Sequence, residues 1–285
     1  MIVDLHIHTT TSDGSFPPEE VVDLAVARNI PIISITDHDT AFSAFSAIEK
    51  ARNKGCLLIP GVELSSNLFG HSLHILGYFV DETVSDLTDL IKEIRDHRNE
   101  RNHAMIAKFH DHGIDIDIEE LNAIAQGEIL SRPHFAQYLI QKKIVPSAKE
   151  AFERYLATDR KCHVPRKKIP PSIMIDIINA AGGISVLAHP GLLGFKEKGK
   201  YEELITTLKG QGLQGLEVYC STHNSTDASF FRAIAERQGL IITGGSDFHG
   251  MPKPHVTLGK FYGANRVFPE IKYILAQRGY SYESA

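Results

Sequence analysis

The chain is short of cysteine, and the few it has are scattered. Its three cysteines, Cys56, Cys162 and Cys220, lie far apart with no Cys-x-x-Cys spacing. That argues against a disulfide framework and a thiolate zinc site, and it suits a reducing compartment, so a cytoplasmic location is expected. No apolar run reaches the roughly 20 residues that span a bilayer, so no membrane segment is expected. The chain opens directly in a strand, and no secretory leader is expected ahead of it. Positive charge is also in deficit. Thirty Lys and Arg stand against 35 Asp and Glu, a net charge of −5 with histidine neutral. No global basic field exists to hold long nucleic acid by phosphate contacts alone. An anionic substrate must be drawn in by a local cluster or by metal ions. There is no internal repeat and no low-complexity tract.

What is present is an alternation of strands and helices in 285 residues. Ile2 to His8 reads as a buried strand. Pro17, Pro18, Glu19 and Glu20 open a helix whose apolar positions Val21, Val22, Leu24, Ala25 and Val26 run on to Arg28. Strands follow at 30–36, 56–62, 72–80, 184–188, 213–219 and 240–244. Helices are expected at 41–54, from about 84, and at 201–211, 227–238 and 269–278. Continuous apolar strands alternating with helices make a parallel sheet covered by helices. About seven strands suggest a barrel close to the eight-stranded type, which fits this length. The stretch 95–166 breaks the alternation and reads as helices only, at 95–112, 118–125, 133–142 and 147–156. The expected organisation is therefore a barrel from 1–94 and 167–285 carrying a helical insertion at 95–166.

Histidine is plentiful, with 15 in the chain and no tag-like run. His6 and His8 flank one apolar residue, so on a strand both imidazoles point to one face. Asp13 follows in a turn-rich stretch. Later strands end in or carry His38, Glu63, His74, His189, Asp247 and His249. The C-terminal strand ends are where β/α barrels build active sites. Nine nitrogen and oxygen donors are too many for one divalent ion and enough for two or three. Without thiolates, the set suits zinc, manganese or iron.

The segments Asp4-Leu5-His6-Ile7-His8, Thr36-Asp37-His38-Asp39, Pro60-Gly61-Val62-Glu63, Ala188-His189-Pro190 and Gly245-Ser246-Asp247-Phe248-His249 resemble the motifs of the polymerase-and-histidinol-phosphatase (PHP) family. The resemblance covers the chain apart from the insertion. It implies an α/β fold, a distorted seven-stranded β/α barrel with a trinuclear metal site and a small all-α insertion. It implies that His6, His8, Glu63 and Asp247 hold a first ion. Glu63, bridging, with His74 and His189 holds a second, and Asp13, His38 and His249 a third. Manganese is the first expectation, with zinc, iron or magnesium as alternatives. Two closely spaced ions lower the pKa of a shared water, which makes a bridging hydroxide available to attack a phosphate ester. Asp13, His38, Glu63, Asp247 and His249 are the expected catalytic set. Asp13, His38 or His249 is to protonate the leaving oxygen where the third ion is absent.

The insertion is expected to choose the substrate. Arg98, Arg101 and Asn102 lie close along one helix. Arg132 and His134 open another, where free N–H groups favour an anion. Residues 160–168 form the densest basic run. Ser131-Arg132-Pro133-His134, Val164-Pro165 and Glu217-Val218-Tyr219 are similar to one PHP branch, the 3′,5′-nucleoside bisphosphate phosphatases, also described as 5′-to-3′ exoribonucleases of the RNase AM type. The implied reaction removes the 3′-phosphate of adenosine 3′,5′-bisphosphate to give AMP, or releases 5′-mononucleotides from short 5′-phosphorylated RNA. Arg132 and His134 are expected to take the 5′-phosphate. Asn102, His103, Lys161 and His223 are weaker expected contacts, and no obligate protein partner is expected. The rival readings are a histidinol-phosphate or other small phosphomonoester phosphatase, a non-catalytic metal-binding module, and a nucleic-acid-binding protein without catalysis.

Overall fold

The structure is a computed structural model that describes residues 1–40, 43–68, 71–81, 83–125, 130–165, 167 and 169–280. It divides into two compact units, Met1–Thr88 with Ile169–Ala285, and Asp89–Lys168.

The first unit is a seven-stranded sheet with strand order following the chain. Its strands are β1 (Val3–Ile7), β2 (Ile32–Ile35), β3 (Leu57–Leu68), β4 (His71–Tyr78), β5 (Ile184–Leu187), β6 (Gly215–Cys220) and β7 (Ile241–Gly245). The edges β7 and β1 meet through a parallel bridge between Ile7 and Phe248. The His8 N–H donates to Phe248 O at 2.9 Å and the Asp247 N–H to His6 O at 2.8 Å, closing the barrel where the ligand motifs lie. Every residue of β1, β2, β5 and β6 is buried, as strands covered on both faces require.

The sheet is not wholly parallel. β4 runs antiparallel to both β3 and β5. Only two residues separate the ends of β3 and β4. A connection that short makes a hairpin, because a parallel crossover needs a dozen residues or more. The third strand is also longer than expected, running through Glu63 to Leu68. Its pairing sets Ser65 opposite His74 and Glu63 opposite Leu76, so Glu63 and His74 share one face of the hairpin.

Outside the sheet lie α1 (Pro18–Ala27) and α2 (Ser43–Asn53), whose expected start at Ala41 falls outside the described residues. Pro18 takes the first turn of α1 with Glu19 and Glu20, and Val21, Val22 and Ala25 face the core. The next helix, α3 (Ser85–Asp111), is one continuous element where two were expected. The division between units falls inside it, at Asp89 and not at residue 95. The second unit continues with α4 (Ile118–Ala125), α5 (Arg132–Gln141), α6 (Ala148–Ala151) and a wider helical turn at Phe152–Leu156. Its core is apolar: Met105, Phe109, Leu121, Phe135, Leu139 and Leu156 are fully enclosed, with the Phe109 and Phe135 rings stacked 6.0 Å apart.

The first unit then resumes with α7 (Pro171–Ala180), a helix the sequence reading lacked. Its signals are Pro171 in the first turn and buried Met174, Ile175 and Ile178 at helical spacing. The last helices are α8 (Lys198–Gly210), α9 (Ser225–Gln238) and α10 (Val267–Gln277). Asn224 caps α9, accepting N–H groups of Thr226 and Asp227 at 2.8 and 3.1 Å, and Gly239 at φ 61° ends it. No described helix is long and apolar enough to cross a membrane.

Candidate metal centre

Six strands deliver the nine expected donors to one end of the barrel. His6 lies in β1 and His8 one residue past it. A β-carbon on Gly245 would stand 2.3 Å from the His6 β-carbon, so only glycine lets β7 close behind that ligand. His38 follows β2, Glu63 and His74 lie in β3 and β4, His189 follows β5, and Asp247 and His249 follow β7. His189 and Asp247 adopt positive φ, 24° and 56°. Such backbone strain in residues that carry a β-carbon persists only where the surroundings hold it.

Glu63 is the hub. Its Oε2 lies 3.2 Å from His6 Nε2, 3.1 Å from His8 Nε2 and 3.0 Å from His38 Nδ1. Its Oε1 lies 2.7 Å from His74 Nδ1 and 2.9 Å from His189 Nε2. Asp247 Oδ1 stands 3.3 Å from His8 Nε2, 3.6 Å from His6 Nε2 and 3.5 Å from His249 Nδ1. Asp13 Oδ1 stands 3.3 Å from His249 Nε2 and 3.5 Å from His8 Nδ1, with Oδ2 3.9 Å from His38 Nε2. Four donor groups result: His8, Asp13, His38 and His249; His6, His8 and Asp247; His6, Glu63 and His189; His38, Glu63 and His74. The grouping joins His189 to His6 and His74 to His38, each with Glu63, where the expected second ion takes His74 and His189 together.

Burial alone pushes these histidines towards neutrality. At His6 the carboxylates of Glu217 and Glu63 outweigh it and raise the pKa well above the usual value. At His8, Asp247 and Glu63 outweigh it, and the value rises to about 9. His38 goes the other way, to about 3, because burial dominates. Burial acts to raise Glu63, Asp13 and Asp247, yet the surrounding imidazoles hold all three well below the carboxylate range. The centre is therefore a knot of alternating charge.

Divalent cations fit this knot. His6 Nε2, His8 Nε2, His38 Nδ1 and Glu63 Oε2 are buried and lack a hydrogen-bond partner, although each of the three nitrogens lies 3.0–3.2 Å from Glu63 Oε2. Two donors each about 2.1 Å from an ion sit about 3.4 Å apart at a tetrahedral angle. Orphaned lone pairs at nearly that spacing are aimed at a common cation. The His249 Nδ1–H donates to Asp247 O at 2.9 Å, which leaves its Nε2 facing Asp13.

Carboxylates outside the four donor groups brace the ligand loops. Asp37 accepts the Thr9 N–H at 2.7 Å and the hydroxyls of Thr9 and Ser12 at 2.6 and 2.5 Å, pinning the loop that carries Asp13. Asp39 accepts the Ser65 N–H at 2.8 Å, and Asp4 those of Ser246 and Gly259 at 2.8 and 2.7 Å. Glu217 contacts both His6 and the His189 backbone. Lys253 Nζ donates to Asp247 Oδ2 at 2.6 Å. None of these roles was inferred from sequence. The available signal was a charged residue inside an otherwise apolar strand or motif, which needs a partner once buried.

The expected substrate contacts are placed differently from the donors. His223, buried at the end of β6, has both ring nitrogens engaged by backbone: its Nδ1–H donates to Val218 O at 2.9 Å, and its Nε2 accepts the Gly191 N–H at 3.0 Å. That makes it a strut and leaves no nitrogen for a substrate. The other five lie in the helical unit. His134 Nδ1 accepts the Ser131 N–H at 3.1 Å in a capping box at the start of α5. Asn102 Nδ2 donates to Leu130 O, and the exposed His103 bonds Asn99 O one turn back along α3. Arg132 donates to Leu156 O at 3.4 Å and lies over the Phe152 ring, while Lys161 is exposed. Burial, then Arg132, depresses the pKa of His163, with Lys108 and Arg101 adding and Asp159 opposing. Three cations, Arg132, Lys108 and Arg101, thus stand near His163.

A seven-stranded barrel with a histidine and carboxylate mouth in this order defines a class, and the chain belongs to it: the PHP domain family, whose profile matches residues 4–161. The chain is 34% identical to a 3′,5′-nucleoside bisphosphate phosphatase of Chromobacterium violaceum over 87% of both proteins. It is 32% identical to the 5′-3′ exoribonuclease Rnm of Escherichia coli, over 91% of this chain and 89% of that one. A solved structure, described as an amidohydrolase from Chromobacterium violaceum with bound sulfate and no metal, superposes with a TM-score of 0.83 at 31% identity, covering 98% of this chain and 97% of that one.

Proposed function

We propose that this PHP-family phosphoesterase hydrolyses the ester between phosphorus and the 3′-oxygen of a nucleotide that bears a 5′-phosphate. On a nucleoside 3′,5′-bisphosphate the products are phosphate and the nucleoside 5′-phosphate. On a short 5′-phosphorylated RNA the same bond is cut and a 5′-mononucleotide leaves. The two activities named for its relatives are then one chemistry with one leaving group, the 3′-oxygen, at a phosphomonoester in one case and a phosphodiester in the other. The observation that carries the reading is the convergence of the nine donors around Glu63 with four buried atoms orphaned. No serine or cysteine nucleophile is needed beside it.

Two or three divalent ions, manganese first, are proposed for these residues. Bound there, they supply a water nucleophile at neutral pH and screen the charge that grows on the phosphoryl group. Glu63 and Asp247 orient the imidazoles around them. Where no ion fills the Asp13, His38 and His249 cluster, His249 Nε2 is the atom from which the departing 3′-oxygen takes its proton. Arg132 is proposed to bind the 5′-phosphate as a guanidinium fork suited to a tetrahedral dianion. A cytoplasmic location is proposed as well, which the three buried, unpaired thiols suit.

The test is product analysis with manganese-loaded protein on adenosine 3′,5′-bisphosphate, a short 5′-phosphorylated RNA and histidinol phosphate. AMP with phosphate from the first and 5′-mononucleotides from the second are expected. Turnover of histidinol phosphate alone would overturn the substrate reading. No turnover of any of the three by metal-loaded protein would leave a binding module.

A further inference from the structure

Six of the seven strands contribute a donor to the centre, and β6 contributes none. It contributes Glu217 instead, a carboxylate fully enclosed in the barrel. Its Oε1 lies 3.0 Å from His6 Nδ1, and its Oε2 accepts the His189 N–H at 2.7 Å. His189 is the residue held at φ 24°, and the turn after it is gripped a second time where His223 Nε2 accepts the Gly191 N–H at 3.0 Å. His223 is itself fixed by Val218 O, the residue after Glu217. A β-carbon on Gly191 would come within 2.8 Å of His223 Nε2, so the grip needs glycine there.

We propose that Glu217 is a positioning residue that couples two ligand sets of the metal centre. Through Oε1 it holds His6 as the Nδ1–H tautomer, which leaves the Nε2 lone pair free beside Glu63 and Asp247. Through Oε2 it locks the strained His189 backbone and so aims His189 Nε2 at the other oxygen of Glu63. Glutamine cannot replace it, although it has the same shape. Glutamine has one acceptor oxygen and one amide NH2, so one of the two N–H donors would face another donor. Carboxylate partners of ligating imidazoles also raise ligand basicity, and their loss typically weakens metal binding about 10–100-fold. The inference rests on the metal centre and not on the identity of the substrate.

The decisive comparison is metal uptake by wild-type and Glu217→Gln protein, read by competition with a chromophoric chelator and by the visible spectrum of the cobalt-loaded forms. The expected result is a loss of affinity of about 10–100-fold and a changed cobalt spectrum. Circular dichroism of the metal-free forms is expected to show the same fold. A second measurement needs no variant: nitrogen-15 spectra of the zinc-loaded wild type should show His6 protonated at Nδ1. Wild-type affinity and spectrum in Glu217→Gln, or His6 protonated at Nε2 in the wild type, would overturn the inference. Wild-type protein that takes up no divalent ion would overturn the centre itself, and the inference with it.

Discussion

In the barrel unit the buried charges are crowded together. Glu63 alone touches five imidazoles, and Asp4, Asp37, Asp39 and Glu217 are spent on backbone N–H groups around them. In the helical unit the core is apolar, and its charged side chains pair at the surface, as Lys142 does with Glu120 and Arg154 with Glu150. An apolar core gains stability by excluding water. A core of opposed charges gains little net stability, because desolvating the ions offsets their attraction. Such a core is therefore a sign of chemistry. The difference assigns reaction to one unit and, under the proposal, recognition to the other.

The largest effect should come from breaking the hub. Glu63→Gln removes the charge that five imidazoles share and should cut kcat/KM on the order of 10³-fold or more, with metal content falling in parallel. Steady-state kinetics beside elemental analysis will check both. Next, Phe135→Ala in the helical core should destabilise by about 3–5 kcal/mol. If the division of labour holds, hydrogen exchange will rise within Asp89–Lys168 while chelator titration shows metal affinity unchanged. A joint loss would mean that the two units do not separate their tasks.

Smaller, and on the recognition side, Arg132→Ala should raise KM for the bisphosphate about 10–100-fold and leave kcat nearly intact, as lost uniform binding does. A fall in kcat at constant KM would move Arg132 into the chemistry. The last lever, which needs no substitution, is pH. In metal-free protein His8, raised to about 9 from 6.5, stabilises the fold fully below pH 6.5, and that contribution is lost as pH rises through about 9. Metal uptake requires the neutral ring, so affinity should climb with pH over the same window, about tenfold per unit for each proton displaced. Calorimetry in buffers of different ionisation enthalpy will count those protons.

Legibility in the sequence followed the same division. All the candidate donors but Asp13, which lies in the loop after β1, could be read because they sit at or in a strand with a repeated placement, and the His-x-His spacing alone sets two imidazoles on one face. The braces could not: Asp37 and Asp39 flank a donor, and Glu217 looks like one polar residue in an apolar strand until His6 and His189 are brought against it by strands β1 and β5. The antiparallel β4 was concealed because the third strand was expected to end at Val62, so the short gap created by its extension to Leu68 was not visible. Helix α7 was missed because Pro170-Pro171 reads as a break as readily as a helix start. His223 looked like a substrate ligand since a histidine at a strand end offers two nitrogens. Which of them the backbone takes is decided by tertiary contact.

The most direct test is hydrolysis of adenosine 3′,5′-bisphosphate in oxygen-18 water, before and after the protein is stripped of metal and reloaded with manganese. The account predicts AMP without label, one labelled oxygen in the released phosphate, loss of turnover on stripping and its return on reloading. Label in the AMP, or turnover indifferent to metal removal, would contradict it.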